Sequence, residues 1–248
     1  MIKQMAVVTR RPDMTHEEYV NYVKHIHGYQ ITCGNPLQVS RYIQNYVFDA
    51  AYGARSDLHT GGYQIVYQRD SVTELYFADE DAMMQTFAHP YVHEVIGPDG
   101  ANFSNLDTSL PFLVQEQEID VPHLAAGGIK IFYMIKGNDN YAPDEITRLW
   151  LQGHHEVVER NVTVRQQLRK CIHNVQISAG DANYFGSKEN VRYDVLATFW
   201  FDTTAAFRTY QQELVHYAQQ HGDFIDPSYS FFLYTDALTI YDAGASLS

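Results

Sequence analysis

The spacing of apolar residues at the start of the chain predicts a strand followed by a helix. The run from Lys3 to Thr9 is rich in Val and Met, which favours a strand. Thr15 and Glu18 have the spacing of a capping box at a helix start. The apolar residues that follow lie at i, i+3, i+4 and i+7, on one helical face: Tyr19, Tyr22, Val23 and Ile26. We expect this face to be buried.

The rest of the first half completes a β-α-β-β-α-β order of elements. Strands are predicted over Val39 to Phe48, over Tyr63 to Phe77 with an interruption near Arg69, and over Phe112 to Ile119. Asp79 can cap a second helix between the last two strands.

The second half repeats this order. Strands are predicted over Ile129 to Ile135, Val191 to Phe201 and Phe231 to Tyr241. Pro143 suits the first turn of a helix, and Asp202 can cap another.

Individual residues also recur between the halves. Ile2 and Lys3 return as Ile129 and Lys130, an offset of 129 − 2 = 127. The same offset, or one two residues longer, aligns further pairs: Glu18 with Glu145, His27 with His154, Gln44 with His173, and Asn45 with Asn174. The sequence therefore predicts an internal duplication.

The predicted fold class is α+β, with two fused ferredoxin-like units that form an intramolecular α/β barrel of the dimeric type. Residues 1–120 form the first unit, 121–128 a linker and 129–248 the second unit. Two helices cover only one face of each four-stranded sheet, so the other face must also be buried. Two such sheets facing each other make a barrel, and we expect a pocket inside it.

Composition narrows the function classes. The chain has 45% hydrophobic residues and 19 tyrosines, which suit the lining of a pocket for a partly polar organic molecule. A net charge of −13 without a basic face argues against nucleic-acid binding. Neither a secretory signal nor an apolar run of membrane-spanning length is present, and Cys33 and Cys171 have no CxxC spacing. We expect reduced thiols and a cytoplasmic protein without a membrane partner.

Two motifs of the first half are similar to the EthD family. They are Thr15-x-Glu17-Glu18-Tyr19-x-x-Tyr22 with His27 five residues on, and the strand Arg41-Tyr42-Ile43-Gln44-Asn45. The resemblance implies the dimeric α/β-barrel superfamily. It also implies similarity to decarboxylases and dehydratases of aromatic polyketide pathways, although many members of the family have no known activity. The wider superfamily includes cofactor-free monooxygenases, cyclases, isomerases and haem enzymes.

Histidines are the first candidates for catalysis, because imidazole exchanges protons near neutral pH. His27 and His154 occupy equivalent places in the two halves. The alternative for each is a structural histidine near a helix end.

The candidate strand residues are a mixed set. Tyr42 and Gln44 share one face of a strand and Asn45 lies on the other. Glu74 among aromatic residues would have a raised pKa and could act as an acid or base, or it could be exposed at a strand edge. The candidates in full are His27, His154, Tyr42 and His173 for catalysis and Asn45, Gln44, Tyr63, Tyr67, Glu74 and Asn174 for substrate binding.

No metal or cofactor is predicted. His89, His93 and Glu94 resemble a metal-binding spacing, but Pro90 interrupts the helix that would bring the histidines to one face. Phosphate loops, dinucleotide fingerprints and hydrolase motifs are absent from the sequence.

The resulting hypothesis is a cofactor-independent lyase of secondary metabolism. It would dehydrate, decarboxylate or cyclise a small aromatic or polyketide-like molecule, with histidine as acid and base and tyrosine and asparagine orienting a carbonyl or phenol. One alternative is an oxygen-dependent enzyme, with or without haem. Another is a non-catalytic binding protein for a hydrophobic metabolite. Whether two chains form a homodimer stays open.

Overall fold

A computed structural model describes residues 1–33, 37–52, 68–177 and 191–244. In these residues eight strands form one closed antiparallel barrel, and the helices lie outside it. The strands are β1 Ile2–Val8, β2 Arg41–Tyr52, β3 Ser71–Phe77, β4 Leu110–Ile119, β5 Ile129–Ile135, β6 Leu168–Gln176, β7 Val195–Phe201 and β8 Phe231–Asp242. The predicted barrel with outer helices is confirmed at this level. Tyr63 and Tyr67 lie outside the described residues.

The helices belong to two groups, one in each half of the chain. The first group has α1 (His16–Tyr22), a first π-helix (Val23–Thr32), α2 (Glu80–Ala88), a second π-helix (Val92–Ile96) and the single turn α3 (Gly97–Asp99). The second group has α4 (Pro143–Arg160), α5 (Val162–Gln167) and α6 (Thr204–Gln220). None of the helices described combines the length and apolar character needed to cross a bilayer.

The order of strands around the barrel is β1-β3-β2-β8-β5-β7-β6-β4. Strands of the first half therefore stand in the order β4-β1-β3-β2, and those of the second half in the order β8-β5-β7-β6. Each half is joined to the other along two seams, where β2 pairs with β8 and β4 pairs with β6. The barrel therefore closes only when both halves are present.

Strand β1 shows why the barrel needs both an inner and an outer layer. All seven of its residues are buried. Met5 and Val7 pack into the barrel, while Ala6 and Val8 pack outward against Tyr19 of α1. The side chains of a strand alternate between its two faces, so continuous burial requires cover on both.

The barrel interior is filled, and the predicted pocket inside it is wrong. An apolar cluster from both halves occupies the space: Met5, Val7, Val47, Val72, Leu110, Phe112, Val114, Phe132, Met134, Tyr193, Leu196, Phe231 and Leu233. An eight-stranded barrel is just wide enough for its own side chains to fill it. The cavity found in the described residues lies instead between the sheet and the helices.

The outer layer of the second half is also filled. Aromatic side chains from α4 and α6 pack on the outward face of β5 and β7, with Trp150, Phe199, Phe207 and Tyr210 all fully buried. The rings of Phe199 and Tyr210 have centroids 4.9 Å apart, and those of Phe207 and Phe232 are 5.1 Å apart. Such close aromatic packing leaves this layer solid.

The start of α1 is as predicted, but its continuation is not. The Thr15 hydroxyl accepts from the backbone N–H of Glu18, and the Glu18 carboxylate accepts from that of Thr15 at 2.7 Å, so the capping box is confirmed. The chain then passes into the first π-helix. This wider turn shifts the buried stripe that a spacing of 3.6 residues predicts. Ile26 is consequently 36% exposed instead of buried.

Several element boundaries also differ from the prediction. Strand β7 begins at Val195, later than predicted. Strand β3 begins at Ser71, directly after the predicted interruption, and the predicted strand residues 63–67 lie outside the described residues. Asp79 caps α2 as predicted, but Thr203 and not Asp202 caps α6, with its hydroxyl accepting from the N–H of Ala206 at 3.2 Å. Thr and Asp are both good N-cap residues, so an Asp-Thr pair leaves the start uncertain by one position.

Candidate active site

A cavity of about 340 Å³ lies in the first half, between the outward face of the sheet and the helices. Its floor is made by outward side chains of β1, β2 and β3, including Gln4, Tyr42 and Thr73. Its walls are made by both π-helices, α2 and the segment after α3. This volume suits a small organic molecule.

The lining is mostly apolar. Valine, leucine, isoleucine and phenylalanine side chains alternate with a few polar groups: Gln4, His27, Thr32, Tyr42, Thr73, Thr86, His93, Ser104 and Ser109. Among the described residues, no Asp, Glu, Lys or Arg lines the cavity. The cavity therefore favours a neutral ligand with a large apolar surface and one or two polar groups.

His27 lies in the first π-helix and lines this cavity. Its Nδ1 is 2.8 Å from Oδ2 of Asp99, and its ring centroid lies 4.6 Å from that of Phe103. Because an ionised carboxylate can only accept a hydrogen bond, Nδ1 carries the proton. Nε2 then keeps its lone pair, and the side chain, only 15% exposed, can act as a base.

Asp99 is held ionised by three donors. Its Oδ1 accepts from the Tyr22 hydroxyl at 2.6 Å and from Nδ2 of Asn102 at 2.9 Å, while Oδ2 faces His27. Burial would raise the pKa of Asp99, but the hydrogen bonds from His27, Tyr22 and Asn102 outweigh burial and lower this pKa to about 2. Asp99 can therefore orient His27 and stabilise its protonated form.

Tyr42 and Gln44 point outward on β2, on one face as predicted. Nε2 of Gln44 donates to the carbonyl of Val23 at 3.0 Å and to the hydroxyl of Tyr42 at 2.6 Å. Gly28 makes this close approach of helix and strand possible, because a Cβ there would lie 2.8 Å from Nε2 of Gln44. Burial raises the pKa of Tyr42, so its phenol stays neutral and can donate a proton.

His93 brings a second imidazole to the cavity. It lies in the second π-helix, so both cavity histidines are on π-helical segments. Such segments are rare in proteins, and those that occur are often found at functional sites. Helix α2 ends at Ala88, and His89 is extended with a ψ of 132°. The spacing of His89 and His93, which resembles that of metal ligands, therefore does not place them on one helical face. In the described ranges no group of three His, Cys, Asp or Glu could hold a metal ion.

Asn45 and Asn174 lie away from this cavity, on the inner face of the barrel. Nδ2 of Asn45 donates to the carbonyl of Val72 at 2.8 Å and to Glu74 at 3.0 Å. Nδ2 of Asn174 donates to the carbonyl of Leu196 at 3.1 Å and to the hydroxyl of Thr198 at 2.9 Å. The two amides occupy equivalent places and bind to the barrel itself.

Glu74 has the opposite pKa shift from the one expected. It is 1% exposed inside the barrel, where its carboxylate binds Lys3 at 2.9 Å and also Lys130. Burial would raise the pKa of Glu74, but the charges of Lys130 and Lys3 outweigh burial and lower it. Glu74 is therefore an ionised bridge between the halves and lies neither at an exposed strand edge nor in the cavity.

His154 and His173 are packed into the solid layer of the second half. His154 is within 3.0 Å of the Tyr210 hydroxyl, and the rings of His173 and Trp150 are 5.1 Å apart. Burial lowers the pKa of each histidine to about 4. Neither residue lines the cavity. The structure thus brings His27, Tyr42 and Gln44 together and leaves the other described candidates elsewhere.

The sequence offered little indication of Asp99. It lies 72 residues from His27, between Pro98 and Gly100, in a stretch without helical or strand periodicity. A lone carboxylate beside Gly and Pro has the composition of a turn. Only the fold shows that it contacts His27.

Comparison with known protein families gives a match within the first half of the chain. Residues 11–107 match the model of the EthD domain. No curated protein sequence matches this chain.

Solved structures match the fold along nearly the whole chain. An anthrone oxidase-like protein aligns with a TM-score of 0.54 and 8% identity, covering 100% of this chain and 96% of its own. A candidate monooxygenase from Fusobacterium nucleatum gives 0.51 and 8% identity, with coverage of 96% and 92%. A candidate chlorite dismutase gives 0.51 and 10% identity, with coverage of 98% and 96%. At these identities the likeness extends to the fold alone.

Proposed function

Residues 11–107 of this chain carry an EthD domain, and from that premise we propose that the protein is a proton-transfer enzyme. Its substrate is a small, largely apolar molecule, aromatic or polyketide-like, that binds in the first-half cavity. The observation that carries the proposal is the hydrogen bond of 2.8 Å that holds Nδ1 of His27 to Asp99 beside this cavity.

In this proposal His27 transfers the proton and Asp99 orients His27. Asp99 fixes the tautomer of His27, so Nε2 takes a proton from a carbon that is next to a carbonyl or conjugated with one through a ring. The electron pair of the broken bond moves to the carbonyl oxygen, and the Tyr42 hydroxyl donates a hydrogen bond to that oxygen. In a dehydration His27 returns its proton to a hydroxyl on the neighbouring carbon, which departs as water while the electron pair re-forms the carbonyl and leaves a C=C bond. In a cyclisation the enolate carbon bonds to a second carbonyl carbon, and the proton goes to the oxygen of that carbonyl. In a decarboxylation His27 takes the carboxylic proton instead, CO2 leaves while the electron pair of the broken C–C bond moves to the carbonyl oxygen, and the proton returns to the carbon. No cofactor is needed for these steps.

Anthrone is a suitable probe, because its methylene group lies between two aromatic rings, across the central ring from a carbonyl, and is acidic through conjugation with that carbonyl. In deuterium oxide without oxygen, we expect the protein to accelerate exchange of the methylene protons, measured by proton NMR. His27→Ala should slow the exchange by about a hundredfold, the usual worth of a general base. His155→Ala is the matched control, because His155 is exposed on α4 and 75% accessible. Equal rates with and without protein would contradict the proposal.

The oxygen-dependent alternative shares the first step. Anthrone oxidase-like and monooxygenase-type neighbours have this fold. Deprotonated anthrone can react with one molecule of oxygen to give anthraquinone and water. Oxygen uptake in air by the wild type, lost in His27→Ala, would favour that alternative. Tight binding of anthrone with neither exchange nor uptake would favour a carrier.

We also propose that residues 1–120 and 129–248 are duplicated ferredoxin-like units joined by 121–128. Equivalent contacts support this. Lys3 and Tyr76 are cross-strand partners, as are Lys130 and Trp200, and in each pair the ammonium lies over the ring, at 5.5 and 5.3 Å. The first unit keeps the cavity, and aromatic side chains fill the second.

A further inference from the structure

We propose that Gln44 and Tyr46 are positioning residues that aim the hydroxyl proton of Tyr42 at an oxyanion in the cavity. The inference rests on the proposed function of the same site. Both side chains lie on β2 with Tyr42, and the hydrogen bonds of the Gln44 amide connect all three residues.

The amide of Gln44 has one possible orientation. Its Nε2 lies 3.0 Å from the carbonyl of Val23, and a carbonyl can only accept. Turning the amide over would place two acceptors against each other. The Tyr46 hydroxyl donates to Oε1 of Gln44 and thereby holds this orientation from the other side. Gln44 is completely buried, so water does not compete for these bonds.

This orientation determines the direction of the Tyr42 hydroxyl. The second N–H of Gln44 donates to the Tyr42 oxygen at 2.6 Å. Tyr42 is therefore the acceptor in this bond, and its own proton must point elsewhere. Within the described part of the chain the hydroxyl has no other hydrogen-bond partner, and Tyr42 lines the cavity. A ligand oxygen is the acceptor that this proton lacks.

A chain of donors also strengthens the last one. Each hydrogen bond polarises the next in surroundings of low dielectric constant, so Tyr46 and Gln44 make the Tyr42 proton a better donor. A preformed donor aimed at developing charge is the usual means of stabilising an oxyanion.

The second half lacks this arrangement. At the offset of 174 − 45 = 129, the positions of Tyr42, Gln44 and Tyr46 are taken by Cys171, His173 and Val175. The hydrogen-bond chain from Tyr46 through Gln44 to Tyr42 is thus confined to the half of the molecule that has the cavity. A purely structural hydrogen-bond chain would have no reason to coincide with the cavity.

Para-nitrophenol is the test ligand, because its ionised form is yellow and reports on the oxyanion directly. Wild-type protein should bind both forms, and the hydrogen bond from Tyr42 should contribute more to the affinity for the ionised form than to that for the neutral form. Tyr42→Phe should weaken binding of the ionised form by about tenfold, the worth of one hydrogen bond to a charged group. Tyr46→Phe should weaken it by about threefold although Tyr46 contacts no ligand. Absorbance titrations over a range of pH give both affinities.

Para-nitrotoluene separates positioning from packing, because it has the same shape and no hydroxyl. Its affinity should be unchanged in both variants. Tyr210→Phe removes a buried hydroxyl in the second half and should leave both ligands unaffected. Equal weakening of the two ligands by Tyr46→Phe, or wild-type affinity for the ionised phenol in that variant, would overturn the inference. So would a failure of the wild type to bind the ionised phenol.

The inference and the proposed function can fail separately. Proton exchange of anthrone reports on His27, and the affinity for ionised phenol reports on Tyr42 and its supports. Tight binding of ionised para-nitrophenol without proton exchange of anthrone would support the roles of Gln44 and Tyr46 and would refute the role of His27 as the base.

Discussion

One carboxylate distinguishes the two imidazoles that the sequence places at matching positions. His27 and His154 are equivalent by sequence, yet only His27 has a carboxylate beside it and a cavity in front of it. His154 instead contacts the hydroxyl of Tyr210 among aromatic rings. The residue type alone therefore gave two candidates, and the contacts of each separate them.

Asp99→Asn tests the role of the carboxylate. The amide cannot stabilise the protonated imidazole, and it can donate to Nδ1 and so favour the wrong tautomer. We expect the exchange rate of anthrone to fall by about a hundredfold or more. Proton NMR in deuterium oxide measures this rate. Asn102→Ala should have a smaller effect, because Asn102 supports Asp99 from behind. An exchange rate in Asp99→Asn equal to that of the wild type would refute the role of Asp99 in supporting His27.

The buried histidines of the second half predict how stability depends on pH. The folded-state pKa values of His154 and His173 are about 4, below the ordinary value of 6.5. The unfolded chain therefore binds protons first as the pH falls below 6.5. The free energy of unfolding should decrease from about pH 6.5 to about pH 4, by up to about 3 kcal/mol for each histidine. Urea denaturation at a series of pH values measures it.

His154→Phe provides the check on this assignment. The variant removes one titrating group from an aromatic layer, so its free energy of unfolding should vary less over the same interval. His155→Ala, at an exposed position of the same helix, should keep the wild-type dependence. An unchanged dependence in His154→Phe would show that other groups are responsible.

Elements that follow a regular repeat were predictable, and the elements that form the site were not. Alternation and capping residues located the strands and the start of α1 within a few positions. The π-helices violate the spacing of 3.6 residues that such predictions assume, so the positions of His27 and His93 around the helix could not be foreseen. The contact between His27 and Asp99 depends on tertiary packing, which no local pattern encodes.

Gly28→Ala tests whether the first π-helix must lie this close to β2. The added Cβ would meet Nε2 of Gln44 at 2.8 Å and the carbonyl of Val23 at 3.0 Å. We expect a loss of about 1–3 kcal/mol in the free energy of unfolding and weaker binding of ionised para-nitrophenol. Gly100→Ala is the control, because its Cβ would meet only Leu106 at 3.7 Å, an ordinary contact. Comparable losses in both variants would contradict this explanation.

The closed barrel is formed by strands from both halves of the chain. Each half has two strand edges, and both edges are used in the seams with the other half. An unpaired edge is prone to aggregation. Sequence reasoning predicted that the sheets would face each other, but not that their contact would be solid. The width of a closed barrel depends on the number of strands and on the stagger between them, and only the complete fold shows the stagger.

Cutting the chain in the exposed connection tests this dependence. Fragments 1–123 and 124–248 should form a complex with one copy of each when expressed together. The second fragment alone should aggregate or stay unfolded, because its strand edges and inner face have no partner. Size-exclusion chromatography with light scattering measures the masses. A stable, folded monomer of either fragment would show that the seams are dispensable.

The buried carboxylate of Glu74 inside the barrel has a consequence for how the two halves depend on each other. Glu74 serves the ammonium groups of both Lys3 and Lys130, and by strand register its counterpart in the second half is Thr198. If the first half paired with itself, each Lys3 would keep an acid beside it, Glu74 of its own half. If the second half paired with itself, two buried cations would face each other with no anion between them. Under the proposed duplication, the second unit therefore depends on Glu74 of the first to neutralise Lys130.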